Sequence, residues 1–90
     1  MRIKAEHKKF LANELIGKQV FIANSRCIQW IGLSGSIVDE TLHTFLIETH
    51  RGQKRISKKS CVWFFPSINF SVDGKLLNCR SEDRTKKFKC

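Results

Sequence analysis

The features that mark membrane-bound and exported proteins are missing from this sequence. No apolar run approaches the roughly 20 residues that are needed to span a bilayer. The first six residues, MRIKAE, also lack the apolar core of a signal peptide. We therefore expect a soluble, cytoplasmic protein that has no membrane partner.

Closely spaced cysteine pairs are missing as well. Cys27, Cys61, Cys79 and Cys90 include no pair at C-x-x-C distance, and nothing in the sequence indicates an oxidising compartment. We predict free thiols, with Cys61 as a small core residue inside an apolar strand. The three histidines are scattered among polar neighbours, so we predict no metal ligands and no cofactor bound by this chain.

Sequence motifs of catalysis are missing too. The chain contains no G-x-S-x-G, no glycine-rich phosphate loop and no H-E-x-x-H. Asp39 and Glu40 form an adjacent acidic pair that could hold a divalent ion, but neighbouring side chains on a strand point to opposite faces. Turn capping and solvation is the favoured role for the pair. We predict no catalytic residues and interpret the chain as a binding protein.

Positive charge, in contrast, is abundant. The 90 residues include 17 lysines and arginines against 8 acidic residues, which gives a formal net charge of +9. A hydrophobic fraction of 41% is sufficient for a packed core, so the charge covers one small folded domain. Basic side chains bind polyanions by displacing condensed counterions. A nucleic acid is therefore the expected partner.

The densest block of positive charge lies in a predicted β-hairpin. β-branched and aromatic residues at 36–40 and 43–49 roughly alternate with polar ones, which is typical of half-buried strands. Gly52 can adopt the positive φ of a tight turn, and residues 53–57 would return along the preceding strand. Nine residues without an acid then present five cations: Arg51, Lys54, Arg55, Lys58 and Lys59.

Two helices flank the predicted strands. Residues 6–16 contain good helix formers and an apolar stripe, and Gly17 suits the left-handed position after the helix. The stripe packs on the chain's own sheet or is shared with a partner protein, and the sequence leaves both open. Residues 80–89 suit a solvated, basic helix with Ser81 as N-cap and acidic residues in the first turn.

Short strands separated by turn residues fill the middle of the chain. Further strands are expected at 18–24, 60–65 and 68–72, and Asp73-Gly74 predicts a turn into a return strand at 75–77. The economical fold is all-β, a small and strongly bent antiparallel barrel of about six strands with short N- and C-terminal helices. The expected divisions are a basic N-terminal segment with its helix (1–17), the barrel (18–79) and a basic C-terminal helix or tail (80–90).

The basic residues come from three separate places and could together span a curved, structured RNA. One group, before the barrel, consists of Arg2, Lys4, Lys8 and Lys9, and the others are the hairpin and the C-terminal tail. Trp30 lies between two isoleucines and could stack on a base. A core or rim position in the barrel is the favoured interpretation for this tryptophan.

Several runs of the sequence, taken in order, resemble one family. They are ELIG at 14–17, GSIVDET at 35–41, TFLIET at 44–49, RGQKR at 51–55 with Lys58, VDG at 72–74 and EDRTKK at 82–87. The combination resembles the archaeal ribonuclease P protein component 1 family, which implies an Sm-like, SH3-like barrel. It also implies an RNA-binding subunit of the ribonuclease P endonuclease. In that family the catalytic RNA, with magnesium, removes the 5′ leader from tRNA precursors, and the protein stabilises the RNA.

The resemblance further implies partners and sites. The expected partners are the ribonuclease P RNA with its tRNA precursor, a zinc-ribbon protein subunit and the other holoenzyme proteins, and the free chain is expected to be a monomer. Magnesium is expected at the RNA and not at this chain. The implied RNA contacts are Arg51, Lys54, Arg55, Lys58, Lys59, Arg84, Lys86 and Lys87. The implied partner interface consists of Leu11, Leu15, Ile16, Ser36, Ile37 and Val38.

Three other functions are open from the residues alone. A protein-interaction adaptor would bind a peptide on its SH3-like barrel, use its charge for solubility and show weak, salt-insensitive affinity for RNA. A generic Sm-type RNA chaperone would assemble as a ring of identical subunits. A stand-alone nuclease would depend on Asp39 and Glu40 and would cleave tRNA precursor without an RNA subunit.

Overall fold

The structure of the chain, a computed structural model, describes residues 5–88 apart from the side chain of Thr85. The predictions about Arg2, Lys4 and Cys90 therefore lie outside the described residues. The helices and strands are α1 (Ala5–Ala12), β1 (Gln19–Ser25), β2 (Ser34–Glu40), β3 (Thr44–Thr49), β4 (Gly52–Ser57), β5 (Cys61–Phe65), β6 (Phe70–Asp73) and α2 (Ser81–Lys87). Short 3-10 helices lie at Ile28–Trp30, Lys58–Ser60, Pro66–Ile68 and Gly74–Leu77. None of the helices in the described chain is long and apolar enough to cross a membrane.

The six strands form one antiparallel sheet in the order β4-β3-β2-β1-β5-β6. Two β-bulges interrupt the register, in β1 between Ile22 and Asn24 and in β2 between Ile37 and Asp39. A bulge bends its strand and increases the local twist, so the sheet curves around a core. The predicted all-β class, with about six strands and short terminal helices, is confirmed.

One face of this curved sheet carries the hydrophobic core. Burial alternates along β3, where Phe45 and Ile47 are at most 1% exposed and their neighbours are more accessible. Ile56 from edge strand β4 and Val72 from edge strand β6 belong to the same cluster, so the whole width of the sheet shares one core. Side chains from outside the sheet complete the cluster: Leu11, Leu15, Leu77 and Phe88.

The N-terminal helix is shorter than predicted, because α1 ends at Ala12 and the chain then pairs with β2. The N–H of Gly17 donates to the Ile37 carbonyl at 2.7 Å, and the N–H of Ile37 donates to the Lys18 carbonyl at 3.0 Å. Gly17 has a φ of +93°, so its predicted left-handed conformation is confirmed, although it does not directly follow the helix. Leu15 lies in this connecting segment and is fully buried.

The predicted return strand at 75–77 is wrong, because residues Gly74–Leu77 form a 3-10 helix. The Asp73 carboxylate accepts a hydrogen bond from the Lys75 N–H at 3.0 Å and caps that helix instead of starting a hairpin. Gly74 is required for close approach, since a Cβ there would overlap the Lys58 carbonyl oxygen. The helix directs Leu77 into the core.

The C-terminal helix α2 lies where it was predicted, but it is not solvated on all sides. Its N-cap is Arg80, whose side chain makes no capping bond, and Ser81 is the first helical residue. The predicted Ser81 cap is therefore wrong. Arg84 is 0% exposed and Phe88 is 4% exposed, so the helix is anchored to the body of the protein by one cation and one aromatic ring.

Candidate nucleic-acid interface

The β3–β4 hairpin presents a first group of exposed cations. Gly52 has a φ of +104°, as predicted, and the Thr49 hydroxyl donates to the Gly52 carbonyl at 2.7 Å while it accepts from the Arg51 N–H at 3.2 Å. These bonds fix the turn. We call Arg51, Lys54 and Arg55 the hairpin cations; all three are exposed.

The hairpin cations are divided between the two faces of β4. Lys54 lies opposite Ile47, which belongs to the core face, and it reaches solvent because β4 is an edge strand. Arg55 lies opposite Leu46 on the other face, where its guanidinium donates to the Thr44 hydroxyl at 3.1 Å. Directly opposite residues share a face of an antiparallel pair. A polyanion would therefore have to lie along the strand edge to reach both cations.

A second basic group lies where β1, β5 and the end of β6 meet. Arg26, Lys59 and Lys75 line an open cleft of about 240 Å³ together with Ser25 and Ser60 and their neighbours. Lys59 was predicted as an RNA contact, but Arg26 and Lys75 were missed. Nothing in the sequence relates these two positions, because the β1–β5 and β5–β6 pairings bring them together.

Two predicted RNA contacts, Lys58 and Arg84, are inside the protein, and for them the prediction is wrong. Both side chains are 0% exposed and surround the Glu40 carboxylate, which is 2% exposed. The Lys58 ammonium lies 2.9 Å from Glu40 Oε2, and the Arg84 guanidinium reaches both carboxylate oxygens, at 3.2 and 2.6 Å. We call these three residues the buried triad. While they hold one another, neither cation is available to RNA.

The buried triad joins the two terminal helices to the sheet. Arg84 in α2 also donates to the Leu11 carbonyl, in the last turn of α1, and at 2.8 Å to the Asn13 carbonyl, just after that helix. Lys58 donates to the Cys79 carbonyl at 2.8 Å. Desolvation by burial lowers the pKa of Lys58, and the hydrogen bond and charge of Glu40 only partly oppose that effect.

A β-bulge explains why Glu40 was missed. In a regular strand Ile37 and Glu40 would face opposite sides, but the bulge between Ile37 and Asp39 shifts the register by one residue. Glu40 consequently lies opposite Phe45 on the core face. Asp39 alone takes the predicted local role, because its carboxylate accepts from the Glu40 N–H at 2.9 Å.

The terminal helices contribute the remaining exposed cations. Lys86 and Lys87 of α2 are exposed, and the Lys87 ammonium donates to the Leu76 carbonyl at 3.0 Å. Lys8 and Lys9 are exposed on α1. Of the eight RNA contacts implied by the resemblance, six therefore reach solvent and stay a prediction: Arg51, Lys54, Arg55, Lys59, Lys86 and Lys87.

The implied partner interface is also divided by burial. Leu11, Leu15 and Ile37 are each 0% exposed in the core, so their assignment to an interface is wrong, and the apolar stripe packs on the chain's own sheet. Ile16 is 43% exposed and Val38 is 37% exposed, so these two can meet a partner. The half-buried Ser36 lies between the two strands that flank β2.

An apolar groove that the sequence did not reveal crosses the outer face of the sheet. Phe21 of β1 lies opposite Phe64 of β5, and together with Ala23 and Pro66 they line a shallow groove of about 530 Å³. Phe21 is 38% exposed. Neighbouring side chains on a strand point to opposite faces, so the exposed Phe21 beside the buried Val20 is the local pattern that corresponds to this surface.

Few of the described residues are candidates for metal binding or redox chemistry. Residues 5–88 contain no group of three or more His, Cys, Asp or Glu side chains that could hold a metal ion. Cys27, Cys61 and Cys79 are free thiols, as predicted. Cys61 is a buried core residue, as predicted, and burial raises the pKa of its thiol while its hydrogen bond to Ser25 opposes that shift.

Comparison with known proteins identifies relatives along nearly the whole chain. A family model described as ribonuclease P/MRP, subunit p29 matches residues 8–87. The chain is 38% identical over 78 residues to ribonuclease P protein component 1 of Methanosphaera stadtmanae, which covers 83% of this chain and 84% of that protein. It is 33% identical over 90 residues to the Archaeoglobus fulgidus protein of the same name, covering 97% and 87%.

A human protein and a protein of solved structure are also similar to this chain. Human ribonuclease P protein subunit p29 is 33% identical over 85 residues, which is 90% of this chain but 39% of the human protein. The structure of Mth11, a homologue of human RNase P protein Rpp29, has a TM-score of 0.56 at 38% identity and covers 80% of this chain and 97% of Mth11. The predicted resemblance is confirmed. The chain belongs to the ribonuclease P/MRP subunit p29 family.

Proposed function

We propose that this chain binds ribonuclease P RNA through its exposed cations and thereby supports removal of the 5′ leader from tRNA precursors. Its family makes it a protein subunit of the ribonuclease P holoenzyme, which acts in tRNA processing. The observation that carries the RNA-binding role is the set of hairpin cations. Arg51 lies on the turn and Lys54 and Arg55 lie on edge strand β4, and the side chains of Arg51 and Lys54 make no ion pair within residues 5–88.

In the proposed mechanism this chain supplies charge and shape and no catalytic group. Each exposed cation that replaces a counterion at a phosphate lowers the repulsion between RNA segments that fold close together. The hydrolysis belongs to the RNA and its magnesium ions. Because the buried triad holds α2 against the sheet, the cations on α2 keep a defined position relative to the hairpin cations, which suits recognition of a folded RNA.

We assign the protein partners to the apolar surface that remains exposed. A zinc-ribbon subunit is proposed to contact Ile16 and Val38, the two exposed members of the implied interface. The groove beside Phe21 and Phe64 is available to another holoenzyme protein. A cytoplasmic location and a monomeric free state complete the proposal.

The test is reconstitution of the holoenzyme at low magnesium concentration. The cognate RNA, the zinc-ribbon partner and tRNA precursor are combined with and without this chain, and the rate of leader removal is measured. Addition of this chain is expected to restore cleavage where the RNA alone is inactive, and the chain without the RNA is expected to be inactive. Cleavage by the protein alone, or no effect of the protein at any magnesium concentration, would contradict the proposal.

A further inference from the structure

The rim of the sheet beside β4 carries a small notch that combines an aromatic ring with two cations. Gln29, Trp30, Leu33, Arg51 and Lys54 line it, and its volume is about 300 Å³. We call it the Trp30 notch. It is distinct from the Arg26–Lys59–Lys75 cleft and from the groove at Phe21, neither of which contains an aromatic ring beside two cations.

The backbone segment that carries Trp30 is fixed against β1 by hydrogen bonds. The N–H of Leu33 donates to the Trp30 carbonyl at 3.1 Å, which closes the turn after the 3-10 helix. That turn is tied to β1, because the Gly32 N–H donates to the Ile22 carbonyl at 2.8 Å and the Ile22 N–H donates to the Leu33 carbonyl at 2.9 Å. Gly32 has a φ of +88°, which a glycine adopts without strain.

Trp30 itself is only partly used by the fold. It is half-buried and packs against the hydrophobic core from outside, so part of its surface is held and part faces the notch. Trp63, the other tryptophan, is 0% exposed and donates its indole N–H to the Lys58 carbonyl at 2.9 Å. Of the two tryptophans, Trp30 alone can meet a ligand.

The two cations of the notch are unneutralised. Arg51 is on the hairpin turn and Lys54 is on β4, both are exposed, and neither side chain has a hydrogen bond or ion pair with residues 5–88. Lys54 lies opposite the core residue Ile47 of β3, so it is on the core side of the sheet, and it lines the notch together with Trp30. The two positive charges and the Trp30 ring therefore line the same small notch.

This combination of groups suits a nucleotide. An aromatic face stacks on any base, and cations beside it hold the phosphate. The Gln29 amide adds a donor group and an acceptor for a base edge. A volume of about 300 Å³ is at the lower end of the range for small-ligand sites, which matches one nucleotide and not a longer segment.

We propose that the Trp30 notch binds one unpaired nucleotide of the RNA, with the base stacked on the Trp30 indole and the phosphate held by Arg51 and Lys54. The proposal rests on the RNA-binding function above and makes it specific. A base in a helix is stacked on its neighbours and cannot enter the notch. The site therefore selects a bulge, a loop or a single-stranded end instead of a continuous duplex.

The experiment compares three RNA hairpins of one sequence: fully paired, with one bulged adenosine, and with an abasic site in the bulge. Binding to the full chain is measured at fixed salt, with tryptophan fluorescence as the second readout. We expect the adenosine bulge to bind more tightly than the other two and to quench the fluorescence of Trp30, since Trp63 is shielded. Equal affinity for the adenosine and abasic bulges would overturn the proposal.

Variants test the role of each group. Loss of the stacking ring in Trp30→Ala is expected to weaken binding of the adenosine bulge roughly 5- to 150-fold, with binding of the paired hairpin nearly unchanged. Trp30→Phe retains a ring and is expected to retain most of the bulge preference.

A hexaglutamate peptide that binds as tightly as the bulged RNA would contradict a nucleotide site.

The outcome also distinguishes failure of this inference from failure of the proposed function. Salt-dependent binding of all three hairpins without a bulge preference would remove the nucleotide site and leave the RNA-binding role intact. No measurable binding of any RNA at low salt would remove both. Because the bulge comparison uses the unmodified chain, it does not depend on the stability of the Trp30 variants.

Discussion

Removal of the one carboxylate in the buried triad should expose how the fold is held together. In Glu40→Gln the Lys58 ammonium and the Arg84 guanidinium lose their only acidic partner among residues 5–88 but stay fully buried. A buried charge without its counterion is strongly destabilising, whereas an exposed pair contributes little. Glu40→Gln is therefore expected to weaken the fold far more than its small change in size suggests.

The magnitude follows from burial and chain length. Breaking a buried pair by removal of one partner costs about 3–5 kcal/mol, and in a domain of this size each kcal/mol lowers Tm by about 4–8 °C. A decrease in Tm of at least about 12 °C is expected for Glu40→Gln. Lys58→Met should cost less, since it removes one of two cations and leaves the bidentate Arg84–Glu40 pair.

Calorimetry or circular dichroism melts of the full chain provide the assay, and Asp39→Asn is the matched control. Asp39 is exposed, and an asparagine keeps an acceptor for the Glu40 N–H, so the control should change stability by less than about 0.5 kcal/mol. The destabilisation of Glu40→Gln should also shrink as pH rises and Lys58 loses its proton. Equal melting temperatures for the two variants would refute the conclusion that the triad holds the terminal helices on the sheet.

Three further predictions follow from the described geometry. Lys54→Ala and Arg55→Ala should each lower the salt slope of RNA binding by about 0.9 for each phosphate that the variant no longer neutralises. Lys58→Met, a control at a buried position, should leave the slope unchanged. Unchanged slopes in both surface variants would remove the hairpin from the interface. Burial lowers the pKa of Lys58 in the folded chain below the unfolded value of 10.5, so between these two pKa values the unfolded state binds more protons than the folded state. The free energy of unfolding should therefore rise with pH across that range, and urea midpoints measured under reducing conditions should show the rise. Lys58→Met should lack this contribution. Burial raises the pKa of the Cys61 thiol and shields it, so alkylation of Cys61, followed by mass spectrometry, should be slower than that of Cys27 until urea unfolds the chain. Equal alkylation rates in the folded chain would contradict the burial of Cys61.

The strands and the hairpin were predictable because local chemistry dictates them. Alternating apolar residues define the buried face of β3, and Gly52 supplies the positive φ of the turn before β4. The same hairpin presents Arg51, Lys54 and Arg55 to solvent for the reason deduced from the sequence. These features depend on residues close together in the chain.

The rest of the site depends on contacts between distant residues. One bulge in β2 turns Glu40 into the core, and only then do Lys58 and Arg84 find a buried counterion. Asp73-Gly74 is typical of a hairpin turn, but Asp73 caps a 3-10 helix instead, and Gly74 lies against the distant Lys58 carbonyl. The residue pattern along a single strand predicts neither the burial of Glu40 nor the 3-10 helix at Gly74.

The position of Lys54 and Arg55 on an edge strand has a second consequence, for solubility. β4 ends the sheet, so its outer backbone groups could pair with the edge of another molecule. Charged side chains along such an edge repel a second copy, which means that the cations offered to RNA also keep free chains apart. Variants that weaken RNA binding here should therefore be checked for self-association, because both properties depend on the same charges.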